Sequence, residues 1–118
     1  MSPTSLSPSV APPTIHLCGD STMAANGGGS GTGTEGWGEF LSYSFPRSTY
    51  TIANHAIGGR STLSYTREDR FCDVSTQVED GDWIAIGYGH NDGGSLSDDN
   101  GRTDCFGEGG ETCDTVYK

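Results

Sequence analysis

Three short apolar runs, at residues 14–18, 50–53 and 83–87, stand out from an otherwise polar, glycine-rich chain. None alternates strictly between apolar and polar positions, so each reads as a short strand buried in a parallel sheet rather than as half-exposed antiparallel β. Between the first two, residues 36–43 place Trp37, Phe40 and Leu41 on one side of a predicted helix. A second, weaker helix is expected over residues 72–78. Strand, helix, strand, helix, strand implies right-handed crossovers and a doubly wound α/β sheet. In a flavodoxin-like three-layer α/β/α fold with order 2-1-3-4-5, the strands present here are 2-1-3, and ligands sit beyond their carboxyl ends. The third strand would then present an open apolar edge, Trp83-Ile84-Ala85-Ile86.

Each run breaks into glycine and polar residues at the end where such a fold binds ligands. The first gives Gly19-Asp20-Ser21, the second Gly58-Gly59-Arg60-Ser61, and the third Gly89-His90-Asn91-Asp92. A serine hydroxyl is a weak nucleophile on its own. It needs a turn that exposes it, a base that takes its proton and donors that hold the oxyanion. The first segment offers the serine, and the other two are placed to offer donors.

Those segments, together with Asn26-Gly27-Gly28-Gly29-Ser30-Gly31, Gly36-Trp37-Gly38-Glu39, Ser64-Tyr65-Thr66-Arg67-Glu68 and Gly93-Gly94-Ser95-Leu96-Ser97, resemble the SGNH (GDSL) hydrolase family, and within it the fungal rhamnogalacturonan acetylesterases. The likeness runs from about Thr14 to Lys118. It implies that Ser21 is the nucleophile and that its own N–H, the Gly59 N–H and the Asn91 side-chain amide form the oxyanion hole. It also implies a catalytic histidine with an aspartate three residues earlier, in a block near the end of a longer chain. No Asp-x-x-His occurs in this sequence, so residues 14–118 are expected to be the N-terminal part of such a domain, with about three of its parallel strands and little activity alone. The function implied is a carbohydrate O-acetylesterase that releases acetate from acetylated rhamnogalacturonan, a pectic cell-wall polysaccharide. The alternatives are a non-catalytic carbohydrate-binding remnant, in which Trp37, Tyr65 and Tyr88 offer stacking surfaces, and an SGNH esterase or lipase acting on another acyl ester.

The histidines present do not replace the missing base on sequence grounds. His16 lies five residues before Ser21 in the first strand, too far back at ~3.3 Å per residue. His90 adjoins Asn91 and turns away from it on an extended chain. His55, in a different loop, is left open by geometry. Asp20 reads as a residue that orients or caps the serine turn. Asp20 is also a candidate substrate contact, and Arg60 and Arg67 are candidate contacts for a uronate carboxylate, with surface solubility as the equal alternative for the two arginines.

A formal net charge of −10 leaves no basic cluster for phosphates or anionic lipid, which excludes nucleic acid and a membrane surface as partners. No obligate protein partner is evident. Residues 1–13 carry four prolines and no apolar run, so they read as a disordered tail rather than a signal peptide or membrane span. Secretion is implied by the resemblance alone. Cys105 and Cys113 enclose a polar, glycine-rich loop of the kind a local disulfide staples, and the matching loop of the family carries such a bridge. Cys18 reads as a packed thiol, and Cys72 has no evident partner. No Cys-x-x-Cys, Gly-Lys-Ser/Thr or complete EF-hand pattern occurs. No metal or cofactor is expected, and residues 97–101 read as a solvated turn.

Overall fold

A computed structural model of the chain describes residues 10–26, 33 and 35–116. Three parallel strands, β1 (Thr14–Gly19), β2 (Thr51–Asn54) and β3 (Trp83–Gly87), form one sheet in the order β2-β1-β3. The register pairs Leu17 with Asn54 on one side and with Ala85 on the other, and Gly19 with Gly87. The predicted strand order and parallel pairing are therefore observed, with β1 central.

Adjacent residues of β1 point to opposite faces of the sheet, and both are sealed: Leu17 and Cys18 are each 0% exposed. Leu17 packs with Met23, Ala24 and Ala56, flanked by Ile15, Leu41, Ile52 and Ala85. Cys18 packs on the other face with Tyr65 and Val74, flanked by Ile57, Phe71, Val78 and Tyr88. Two small cores thus lie back to back on one central strand.

The helices depart from the sequence expectation. Residues 36–43 form no α-helix but two 3-10 turns, Trp37–Glu39 and Leu41–Ser44. The reason is a backbone clamp in which the N–H groups of Gly36, Trp37 and Gly38 donate to the carbonyls of Ala24, Thr22 and Met23. A Cβ at Gly36 or Gly38 would collide with the Met23 backbone, so both positions require glycine. Trp37 and Phe40 are consequently half-exposed rather than packed on one helix face.

On the opposite face, α1 (Thr62–Arg67) was not anticipated, and α2 (Arg70–Ser75) starts earlier and is shorter than the helix expected at 72–78. A reciprocal capping box starts α1: the Ser61 hydroxyl accepts from the Ser64 N–H, and the Ser64 hydroxyl accepts from the Ser61 N–H. Ser61 Oγ also donates to the Gly101 carbonyl, tying the later loop to this helix.

The loop at 105–113 is closed by the Cys105–Cys113 disulfide, while Cys18 is a buried free thiol and Cys72 an exposed one. Burial pushes the Cys18 thiol pKa up. The expected tail at residues 1–13 lies outside the described residues except for 10–13, as does most of the glycine-rich stretch at 26–33.

Candidate active site

The loops that follow the three strands are tied to one another at the carboxyl end of the sheet. The Ile57 N–H donates to the Gly19 carbonyl at 2.9 Å, joining the segment after β2 to the end of β1. Asn91 Nδ2 donates to the Arg60 carbonyl at 3.0 Å, and Asp92 Oδ1 accepts from the Thr62 N–H at 2.8 Å, joining the segment after β3 to that after β2. Asp92 Oδ2 also accepts from the Gly89 N–H, closing the turn that presents Asn91. Asp92 was not singled out from the sequence. Its position right after Asn91 was a possible signal, because Asp bonds nearby backbone in turns.

Ser21 sits in the turn immediately after β1, partly exposed. Asp20 is buried and shapes this turn as expected. Its Oδ1 accepts from the Thr22 N–H at 2.8 Å and the Thr22 hydroxyl at 2.7 Å, and its carbonyl accepts from the N–H groups of Met23 and Ala24. Those bonds leave the serine at the apex. Among the described residues the Ser21 hydroxyl and N–H have no hydrogen-bond partner, and neither does the Gly59 N–H. Gly59 has φ +77°, a left-handed conformation that glycine adopts without strain.

Asn91 is buried, and one of its two amide protons is spent on Arg60. A primary amide carries two donors, so the bond to Arg60 fixes the side chain while leaving the second proton for another acceptor. Two unpartnered backbone donors and one oriented amide donor are what a developing oxyanion needs.

The histidines occupy other roles. His16 is buried, with Nε2 bonded to Asp82 Oδ2 at 3.1 Å and Nδ1 bonded to His55 Nε2 at 3.0 Å, so both ring nitrogens are engaged. The two imidazoles stack, with ring centroids 5.3 Å apart and an interplanar angle of 9°. Asp82 is held by the N–H groups of Thr14 and Glu79, which keep its carboxyl pKa below the usual range. Burial, and then the neighbouring His16, lower the pKa of His55. His90 is exposed beside the buried Asn91.

The arginines put forward for substrate contact are already paired: Arg60 with Glu68 at 3.1 Å, and Arg67 with Asp99 in a two-pronged contact at 2.8 and 2.7 Å. Asp99 also accepts from the Gly101 N–H. The tyrosines offered as stacking surfaces are packed instead. Tyr65 is buried against Phe71 and Tyr88, and its hydroxyl donates to the His55 carbonyl. Burial, reinforced by Cys18, pushes the Tyr65 phenol up to about 12. Tyr88 packs on Tyr65 and Phe71 with its hydroxyl buried and unpartnered among the described residues.

Against known families, residues 15–108 match the GDSL-like lipase/acylhydrolase model. The chain belongs to the GDSL hydrolase family. It is 53% identical to a rhamnogalacturonan acetylesterase of Emericella nidulans over 96% of its own length and 42% of that protein's. Two Bacillus subtilis proteins, one named a probable rhamnogalacturonan acetylesterase and the other a rhamnogalacturonan acetylesterase, are 40% and 33% identical over 66% of the chain. The chain thus spans about two fifths or less of the length of these curated relatives. Among the described residues, no cluster of three His, Cys, Asp or Glu side chains is placed to hold a metal. No helix among them is long and apolar enough to cross a membrane.

Proposed function

We propose that this chain carries the nucleophile and oxyanion hole of a carbohydrate O-acetylesterase that removes acetate from rhamnogalacturonan. What supports it most is that Ser21 and three donors without a partner among the described residues, the N–H groups of Ser21 and Gly59 and the second amide proton of Asn91, lie on the loops that follow the three adjacent strands and are tied to one another. Ser21 Oγ attacks the acetyl carbonyl, and its proton passes to a base. The tetrahedral oxyanion rests on the three donors, collapse expels the sugar hydroxyl, and water then releases acetate from acetyl-Ser21.

None of the three histidines bonds Ser21: His16 has both nitrogens engaged, His55 bonds His16 through Nε2, and His90 is exposed beside Asn91. General-base catalysis contributes ~10²- to 10⁴-fold, so the 118 residues alone are expected to turn over slowly or not at all. Substrate choice follows the names of the relatives, and an extracellular, pectin-degrading setting follows from that substrate.

Acetate release from acetylated rhamnogalacturonan tests the reading, measured with the chain alone and with it joined to the remaining portion of the Emericella nidulans relative. The joined protein should release acetate, and Ser21→Ala should abolish that release. Saccharide binding without release by the joined protein would support the binding reading instead.

A further inference from the structure

The arginines near the loop end of the sheet are not equivalent. Arg60 and Arg70 both bond Glu68, and Arg67 bonds Asp99. Arg102 makes no ion pair among the described residues, in a chain whose net charge is −10. Its main chain is nonetheless fixed. The Arg102 carbonyl accepts from the Gly94 N–H, its own N–H donates to Asn100 Oδ1 at 3.0 Å, and the next residue, the buried Thr103, pairs with Gly94 in an isolated parallel bridge. A Cβ at Gly94 would collide with the Arg102 carbonyl, so glycine there lets the two segments meet.

The result is an open cavity of about 240 Å³ lined by His90, Asn91, Gly93, Gly94, Asn100 and Arg102. Arg102, exposed and without an ion pair among the described residues, thus lines the same hollow as Asn91. A guanidinium presents its donors as a planar fork that matches a carboxylate, and a carboxylate on the substrate meets no competing ion pair there.

We propose that Arg102 is a uronate subsite: it binds the carboxylate of a galacturonic acid residue in the polysaccharide held at the Ser21 site. This deepens the acetylesterase reading and takes from it the choice of ligand. It assigns to Arg102 the role that sequence reasoning offered to Arg60 and Arg67, which are already bonded to Glu68 and Asp99. It also gives the site a means of telling an acidic polysaccharide from a neutral one, such as an acetylated xylan, which offers the fork nothing.

Equilibrium binding of digalacturonate and of its uncharged dimethyl ester to the full chain tests this without requiring turnover. The acid should bind about tenfold or more tightly than the ester at low salt. Arg102→Gln should bring the two within about twofold, and Arg102→Lys should keep part of the preference. Arg47→Gln removes the same charge before β2, at the opposite end of the sheet, and should leave the preference intact. Equal binding of acid and ester by the unmodified chain, absence of binding by both, or a preference that survives Arg102→Gln would each overturn the proposal. Failure of the joined protein to release acetate, with the acid preference intact, would defeat the esterase reading and leave the subsite standing.

Discussion

In the proposed oxyanion hole Asn91 would serve structure and chemistry together, since the amide proton given to Arg60 fixes the orientation of the other. Removing an oxyanion donor usually costs ~10²- to 10³-fold in kcat. Asn91→Ala in the joined, active protein should therefore lower kcat by about that factor with little change in KM. Steady-state kinetics check this, and an unchanged kcat would remove Asn91 from the role. The imidazole pair makes a different prediction. Asp82 accepts from His16 Nε2–H, which leaves His16 Nδ1 to accept from His55 Nε2–H. Arg70 and Asp73 of α2 line the hollow beside His55, and the Tyr65 hydroxyl of α1 bonds its carbonyl. Burial and then His16 hold the His55 pKa below its ordinary 6.5. Between the two values the unfolded chain binds more protons than the folded one, so stability is full above about pH 6.5 and falls as pH drops toward the folded value. Urea midpoints from pH 8 to 5 should show that decline, and His55→Gln should flatten it. A midpoint that rises on acidification would contradict the assignment.

At the scale of elements, the strands were legible because a buried parallel strand is a continuous apolar run. The ends of those runs also marked the three site loops. The segment at 36–43 was misread because its apolar spacing fits a helix, whereas its backbone N–H groups are committed to carbonyls of residues 22–24. Pairing across sequence outcompeted local propensity there. Helix α1 escaped notice because its capping box uses Ser64 where a glutamate or glutamine would have announced it. The partners of His16, Arg60 and Arg67 lie far enough along the chain, or in such ordinary residue types, that no spacing pointed to them. The clamp on the serine turn has a measurable consequence. Gly38→Ala forces a methyl group against the Met23 carbonyl and the Leu17 side chain, an overpacking that typically costs ~1–3 kcal/mol. The urea midpoint should fall accordingly, while Gly93→Ala, where a Cβ meets nothing nearby, should leave it nearly unchanged.

For the whole molecule, the asymmetry of the sheet matters most. In β2 the one large apolar residue, Ile52, is only partly exposed, whereas β3 leaves Trp83 63%, Ile84 48% and Ile86 62% exposed. Burying one such side chain fully is worth ~1.5–3 kcal/mol, so three of them beside an unpaired strand edge form a strong drive to associate. The net charge of −10 opposes this, because two copies repel as they approach. At low ionic strength the repulsion reaches over tens of ångströms. At ~0.15 M salt it is screened beyond ~8 Å while apolar burial is undiminished. The 118-residue chain should therefore self-associate increasingly as salt is raised, the reverse of what charge pairing between copies would give. Sedimentation velocity across protein concentration and salt measures it. Ile86→Lys places a charge on the open strand and should shift the distribution back toward monomer, as lysines do on natural sheet edges. A chain that remains monomeric at every salt concentration, or an Ile86→Lys variant that associates as the unmodified chain does, would show that β3 is not the contact.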